Sequence, residues 1–124
     1  MARLAWVCLG GAIGSGARFL LAEWLGGRLG GVFPWPILVV NVLGCLAAGF
    51  LGAFWAMRSP APEVVALAVT GFLGGFTTYS AFNHGALVLH EGGRSLVAAG
   101  YVAVTVVAGL AAGLAGAGLG RWVR

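Results

Sequence analysis

Charge is what this sequence lacks. Only 8% of its 124 residues are Asp, Glu, Lys or Arg, where a soluble domain carries roughly 25%. There is no lysine and no aspartate. The acids are Glu23, Glu63 and Glu91, and the positive charge comes from arginines spaced along the chain. Dispersed arginines form no basic run, so a nucleic-acid partner is not expected. All three acids fall at the ends of apolar segments, so the mid-membrane titratable group of a proton-coupled transporter is missing. His84 and His90 have no Ser or Asp partner, and no metal-ligand spacing occurs. Hydrolytic and nucleophilic chemistry therefore lack their parts, and an enzyme is not expected. Cysteine is scarce as well. Cys8 and Cys45 both sit in apolar runs and are expected to be small buried hydrophobes, not a disulfide or a metal pair.

What the sequence has is apolar surface and glycine. It is 60% hydrophobic with mean hydropathy +1.00 and contains 23 glycines. This is the composition of an integral membrane protein, expected as one four-helix transmembrane domain over residues 1–124. The spans read as about Leu4 to Leu25, Pro36 to Met57, Glu63 to His90 and Ser95 to Leu119, each near or above the roughly 20 residues that cross a bilayer core. The turns between them are Gly26 to Phe33, Arg58-Ser59-Pro60-Ala61-Pro62 and Glu91-Gly92-Gly93-Arg94. The first apolar run is too long for a signal-peptide core. Glycine at four-residue spacing (Gly10 and Gly14, Gly109 and Gly113, Gly116 and Gly120), with Ala48 and Gly52 as a small-residue pair, predicts close helix packing and an oligomer interface. Four spans are few to enclose a pore, which favours a dimer.

An even number of spans puts both termini and Arg58 on one side. Trp6, Trp55 and Trp122 then fall near one membrane face, and Trp24 and Trp35 near the other, as interfacial belts. The terminal side carries Arg3, Arg58, Arg121 and Arg124. The other side carries Arg28 and Arg94, with Arg18 if its side chain reaches that far. So even a balance fixes no orientation by the positive-inside rule, and such a protein can insert both ways and pair head to tail. A single orientation set by Arg121 and Arg124 is the plainer alternative.

The third span holds the stretch Gly71-Phe72-Leu73-Gly74-Gly75-Phe76-Thr77-Thr78-Tyr79-Ser80-Ala81-Phe82-Asn83. Glycine this dense predicts an interrupted helix, tolerated in lipid only where protein or a water-filled cavity satisfies the freed backbone. Tyr79 and Phe82 share a face if the helix resumes, and ring edges can contact a small anion. Thr77, Thr78, Ser80 and Asn83 add hydrogen-bond donors beside them. Asn41, inside the second span, is an interhelical hydrogen bond or a functional amide. Arg18 is an anchor at the membrane edge or a fixed charge at a vestibule mouth. Tyr101 and Thr105 lie four apart on one face of the fourth span and extend a candidate hydroxyl track. Their plainer alternative is a return of each hydroxyl to a backbone carbonyl.

These residues resemble the Fluc (CrcB) family of fluoride channels. The likeness covers Gly10-Gly11 through Arg18, Val40-Asn41-Val42-Leu43-Gly44, and Gly71 through Phe82. The last run is similar to the family's G-x-x-G-G-x-T-T-F-S-T-F. The resemblance implies an all-α membrane protein with its third helix broken, forming an antiparallel dual-topology homodimer with two fluoride pathways in a prokaryotic inner membrane. It further implies a structural Na⁺ held on the dimer axis by the Gly74 and Thr77 carbonyls. Asn41 would donate to fluoride, Tyr79 and Phe82 would be the pore rings, Thr78 and Ser80 would lie along the pathway, and Arg18 would lie at the vestibule. Tyr79 replaces a phenylalanine of the pattern, Ala81 a threonine, and Gly85 a common glutamate. The rivals are a small four-helix dual-topology antiporter, which should carry a mid-membrane glutamate, and a structural subunit in which Asn41 and Arg18 are only glue.

Overall fold

A computed structural model describes residues 1–123; Arg124, counted above with the terminal-side arginines, lies outside the described residues. All regular structure among them is helical. We label α1 (Ala2–Leu29), α2 (Trp35–Trp55), α3 (residues 62–76), α4 (Tyr79–Glu91) and α5 (Ser95–Trp122). Four segments of 28, 21, 30 and 28 residues are long and apolar enough to cross a membrane, the third being α3 and α4 together.

Local chemistry sets the ends. Gly30 and Gly31 take φ of +33° and +93°, which L side chains rarely adopt, and they turn the chain out of α1. Pro36 occupies the first turn of α2, where no N–H partner is needed. Gly93, with φ of +75°, makes the reversal between α4 and α5. The first turn therefore starts later than expected. Arg28 is still helical and lies over the Trp24 ring, 4.1 Å from its centroid, because that contact and the missing β-branched residues let the helix run on to Leu29.

Each long seam joins helices that run parallel. Along α1 and α3, Val7 and Gly10 face Gly71, and Gly11 and Ser15 face Gly75, in rising order on both helices. Along α2 and α5, Cys45 faces Gly109, Gly49 faces Gly113, and Phe50 faces Gly120. A Cβ on Gly75 would lie 2.5 Å from the Gly11 carbonyl oxygen, so these backbones could not approach so closely with larger residues. The expected small pair Ala48–Gly52 is not where α2 meets α5 within the chain. A Cβ on Gly52 would meet nothing within 4 Å, and the close approach falls at Gly49.

The glycines of the third span do not break it. Gly71 to Gly75 stay helical, with Ala66–Leu73 wound in wider turns, as when the Gly74 N–H reaches back to the Val69 carbonyl. The break falls two residues later, at Thr77 and Thr78, both extended (φ −78°, ψ 156°; φ −150°, ψ 114°). The reason is packing: within a membrane a helical glycine that admits a neighbouring backbone gains contact that outweighs its poor propensity.

Leu38, Leu89, Ala98 and Tyr101 form a small core, with Phe33 and Phe82 against it. Elsewhere large apolar side chains face outward, such as Leu20, Leu110 and Val107. Cys8 and Cys45 correct the expectation of burial. Cys8 is exposed on a face of α1 that the chain leaves uncovered, and Cys45 is half-buried, covered on one side only by Gly109 of α5.

Candidate permeation site at the helix break

A continuous helix would give the Thr78 N–H to the Gly74 carbonyl. Here it donates to Asn41 Oδ1 at 2.8 Å, and Asn41 Nδ2 donates to the Thr78 carbonyl at 3.1 Å. One amide on α2 thus takes up the N–H that Thr78 gave up to the break and adds a donor to its carbonyl, which as N-cap still heads the α4 ladder. Thr78 then caps α4: its Oγ1 accepts the Ala81 N–H at 3.2 Å and lies 3.2 Å from Ser80 Oγ. Thr77 Oγ1 donates to the Leu73 carbonyl at 2.9 Å, closing α3.

Two groups on α1 secure the other side of the break. Arg18 Nη1 donates to the Thr77 carbonyl at 3.3 Å, and Ser15 Oγ donates to the Gly75 carbonyl at 3.4 Å. Arg18 is therefore half-buried against the interruption, where it satisfies a carbonyl that lipid would leave bare. The Gly74 carbonyl is released from the ladder on an exposed position. The carbonyls of Gly74 and Thr77, expected as cation ligands, both stand at the break, that of Thr77 already accepting from Arg18. No group of three or more His, Cys, Asp or Glu exists among the described residues to offer another kind of site.

Rings and hydroxyls continue from the break towards the turn after α1. Tyr79 and Phe82 stand 5.7 Å apart, Phe82 and Tyr101 5.3 Å, and Tyr101 and Phe33 5.3 Å edge to face. Tyr101 is fully buried and Thr105 nearly so, yet the hydroxyls of both have no hydrogen-bond partner. The return to backbone carbonyls weighed for them does not occur. An unpaired buried hydroxyl costs about 1–3 kcal/mol, so two on one helix face mark a place suited to a polar guest.

Asn41, Gly74, Thr77, Thr78, Tyr79, Phe82 and Thr105 line one cavity of about 460 Å³. Arg18 joins it through Thr77, Ser80 through Thr78, and Tyr101 through Phe82. The cavity opens sideways: Tyr79 is 79% exposed within one chain. Sequence reasoning missed Ser15, Phe33 and Cys45. Ser15 was visible as the one hydroxyl among the glycines of α1, whereas Phe33 and Cys45 carried no signal.

Comparison with known proteins decides the family. The family model described as "CrcB-like protein, Camphor Resistance (CrcB)" matches residues 5–117. The chain belongs to the CrcB family. It is 46% identical over 124 residues to the fluoride-specific ion channel FluC of Anaeromyxobacter dehalogenans, covering 99% of this chain and 98% of that one. To the fluoride-specific ion channel FluC of Chloroflexus aurantiacus it is 42% identical over 117 residues (94% and 93%). To that of Xanthomonas axonopodis pv. citri it is 44% identical over 115 residues (92% and 86%).

Within the family frame, the departure at Gly85 has a packing account. A Cβ there would lie 3.2 Å from Pro34 Cγ and 3.5 Å from Tyr101 Cε1. The space of a longer side chain is taken by Pro34 and Tyr101. Nothing in the structure explains the departure at Ala81.

Proposed function

We propose that this chain is a passive, fluoride-selective ion channel that exports fluoride across the cell membrane and relieves fluoride toxicity. The observation that carries this reading is the pair of buried, unpartnered hydroxyls of Tyr101 and Thr105, the latter sharing a cavity with the Asn41–Thr78 clamp at a broken helix. The curated relatives bear the name fluoride-specific ion channel. Fluoride is small, strongly hydrated and a good acceptor, so N–H, O–H and ring-edge donors can replace its water. Chloride is larger and a weaker acceptor, and the same donors do not repay its dehydration. Asn41 keeps a second N–H beyond the one given to Thr78. Phe82 and Tyr79 supply ring edges, and Thr78, Ser80, Thr105 and Tyr101 supply hydroxyls. No mid-membrane acid is present to couple protons, which leaves the antiporter alternative without support, and no step calls for an enzyme.

The working unit is an antiparallel, dual-topology homodimer with two pathways, in a prokaryotic inner membrane. Two features support it. A cavity lined by Asn41, Thr78 and Thr105 opens laterally, and lipid tails are a poor lining for such groups. The arginines are also split almost evenly between the two sides.

A structural Na⁺ fits the freed carbonyls. Gly74 has lost its helical partner and Thr77 keeps a lone pair beyond the one given to Arg18. Neutral oxygens suit a hard cation, and two copies would supply four. When bound, the ion would supply fixed positive charge that holds the two breaks together.

Liposomes test the function. Vesicles of the purified chain loaded with fluoride should empty at once when an ionophore balances charge, and chloride-loaded vesicles should not. Inert vesicles, or equal release of both halides, would overturn the proposal.

A further inference from the structure

Asn41 and Cys45 are four residues apart on α2 and so share a face. On α5 the corresponding row is Tyr101, Thr105 and Gly109. The hydroxyl track on α5 ends at Thr105, because the next position on that row is a glycine. The group that reaches this place comes from the neighbouring helix: Cys45 Sγ lies 3.4 Å from where a Cβ on Gly109 would stand. Thr105 and Cys45 both line the cavity at the break and a second one of about 570 Å³ beside it, so they lie where the two meet. Thr105 is 91% buried and its hydroxyl has no partner, whereas Cys45 is a free, half-buried thiol.

We propose that Cys45 is a further lining residue of the anion pathway, its thiol extending the hydroxyl track one helical turn past Thr105, and that it is open to thiophilic cations arriving from water. The inference rests on the channel reading for its halide half and on geometry alone for its access half. A thiol is a weak donor, so this step of the track holds a halide loosely. It thereby tunes rate and discrimination without creating a trap. A soft cation such as Ag⁺ would bind there as the S–H bond breaks, an S–Ag bond forms and the proton passes to water. No oxidation state changes in that step.

The test uses Ag⁺ in chloride-free buffer on the full chain in liposomes. The background is Cys8→Ser, which removes the other thiol, one that lines neither cavity. Fluoride efflux and the intact mass of the chain are both read. In Cys8→Ser, silver should cut efflux at least about tenfold, an added barrier near 1.4 kcal/mol, and add one silver to the mass. In Cys8→Ser/Cys45→Ser, it should do neither. Cys45→Ala should pass fluoride about tenfold more slowly than Cys45→Ser, because only the latter keeps a donor. Silver that spares Cys8→Ser, or that blocks the double variant equally, overturns the proposal. If the chain passes no fluoride but still takes up silver at Cys45, the channel reading falls, and with it the halide role of the thiol. If silver does not bind while fluoride flows, the inference alone falls.

Discussion

Asn41 grips Thr78 by both backbone groups, 37 residues away in sequence, with one bond at 2.8 Å and the other at 3.1 Å. The interruption of the third span is therefore held from outside by α2. Asn41→Asp keeps the acceptor for the Thr78 N–H but sets a carboxylate against the Thr78 carbonyl and repels an anion. Fluoride efflux should fall at least about tenfold. Wild-type efflux from a folded Asn41→Asp variant would remove Asn41 from the pathway.

Arg18 serves the same break from α1. Arg18→Gln can still donate to the Thr77 carbonyl but carries no charge, and Arg18→Ala can do neither. Loss of a hydrogen bond to a charged group costs about 1.5–3 kcal/mol. Arg18→Ala should therefore lower thermal stability in detergent more than Arg18→Gln does. Equal stability of the two variants would show that the contact with Thr77 carries little of the fold.

The division between what could be read and what could not follows from range. Span number and approximate ends were legible because the bilayer demands about twenty apolar residues and charge is sparse within the spans. That the third span breaks was legible from its glycines and threonines, but the position was not. Gly71 and Gly75 could be judged only against Gly10 and Gly11, which lie some sixty residues away. The glycine seams were visible as a pattern on α1 and α5, while on α2 spacing pointed to Gly52 and the contact within the chain falls at Gly49. Asn41, Thr78 and Thr105 were singled out by polarity at depth, Tyr79 and Phe82 as rings on one face, and all five line one cavity. Phe33 and Cys45 are ordinary apolar residues in sequence, and only packing against Tyr101 and Gly109 gives them a place.

Tyr79 reaches out of the single chain, and its ring meets Phe82 at 5.7 Å. If the ring edge faces the ion, the phenol oxygen is dispensable. Tyr79→Phe should then keep or raise fluoride efflux in the liposome assay. Abolished efflux from a folded variant would make the hydroxyl essential and overturn the role given to the ring.

Seam glycines should fail differently from pathway residues. A Cβ on Gly14 would run into the Phe72 carbonyl, and one on Gly116 into the Leu46 carbonyl, both of them backbone atoms with no rotamer to yield. Gly14→Val and Gly116→Val should each cost at least about 1–3 kcal/mol by overpacking, seen as loss of the monodisperse species in size exclusion. Gly52→Ala, where a Cβ meets nothing within 4 Å of its own chain, should leave the folding of the single chain intact. A dimer defect confined to Gly52→Ala would place the second copy on that face of α2.

Tyr101 and Thr105 offer the sharpest separation of folding from transport, because their hydroxyls are buried and unpaired. A side chain kept for packing alone would be improved by removing such a group. Tyr101→Phe keeps the ring contacts with Phe33 and Phe82, and Thr105→Val keeps the shape of the branch. Each relieves an unmet hydrogen bond worth about 1–3 kcal/mol, so thermal stability should rise or hold. If the hydroxyls exist to replace the water of a passing fluoride, efflux should fall in the same proteins, by about tenfold for a loss near 1.4 kcal/mol in the barrier. Opposite signs in the two measurements are what a permeation role requires. Unchanged efflux from Tyr101→Phe/Thr105→Val would move the pathway off this face of α5, and a fall in both efflux and stability would return the hydroxyls to a structural role.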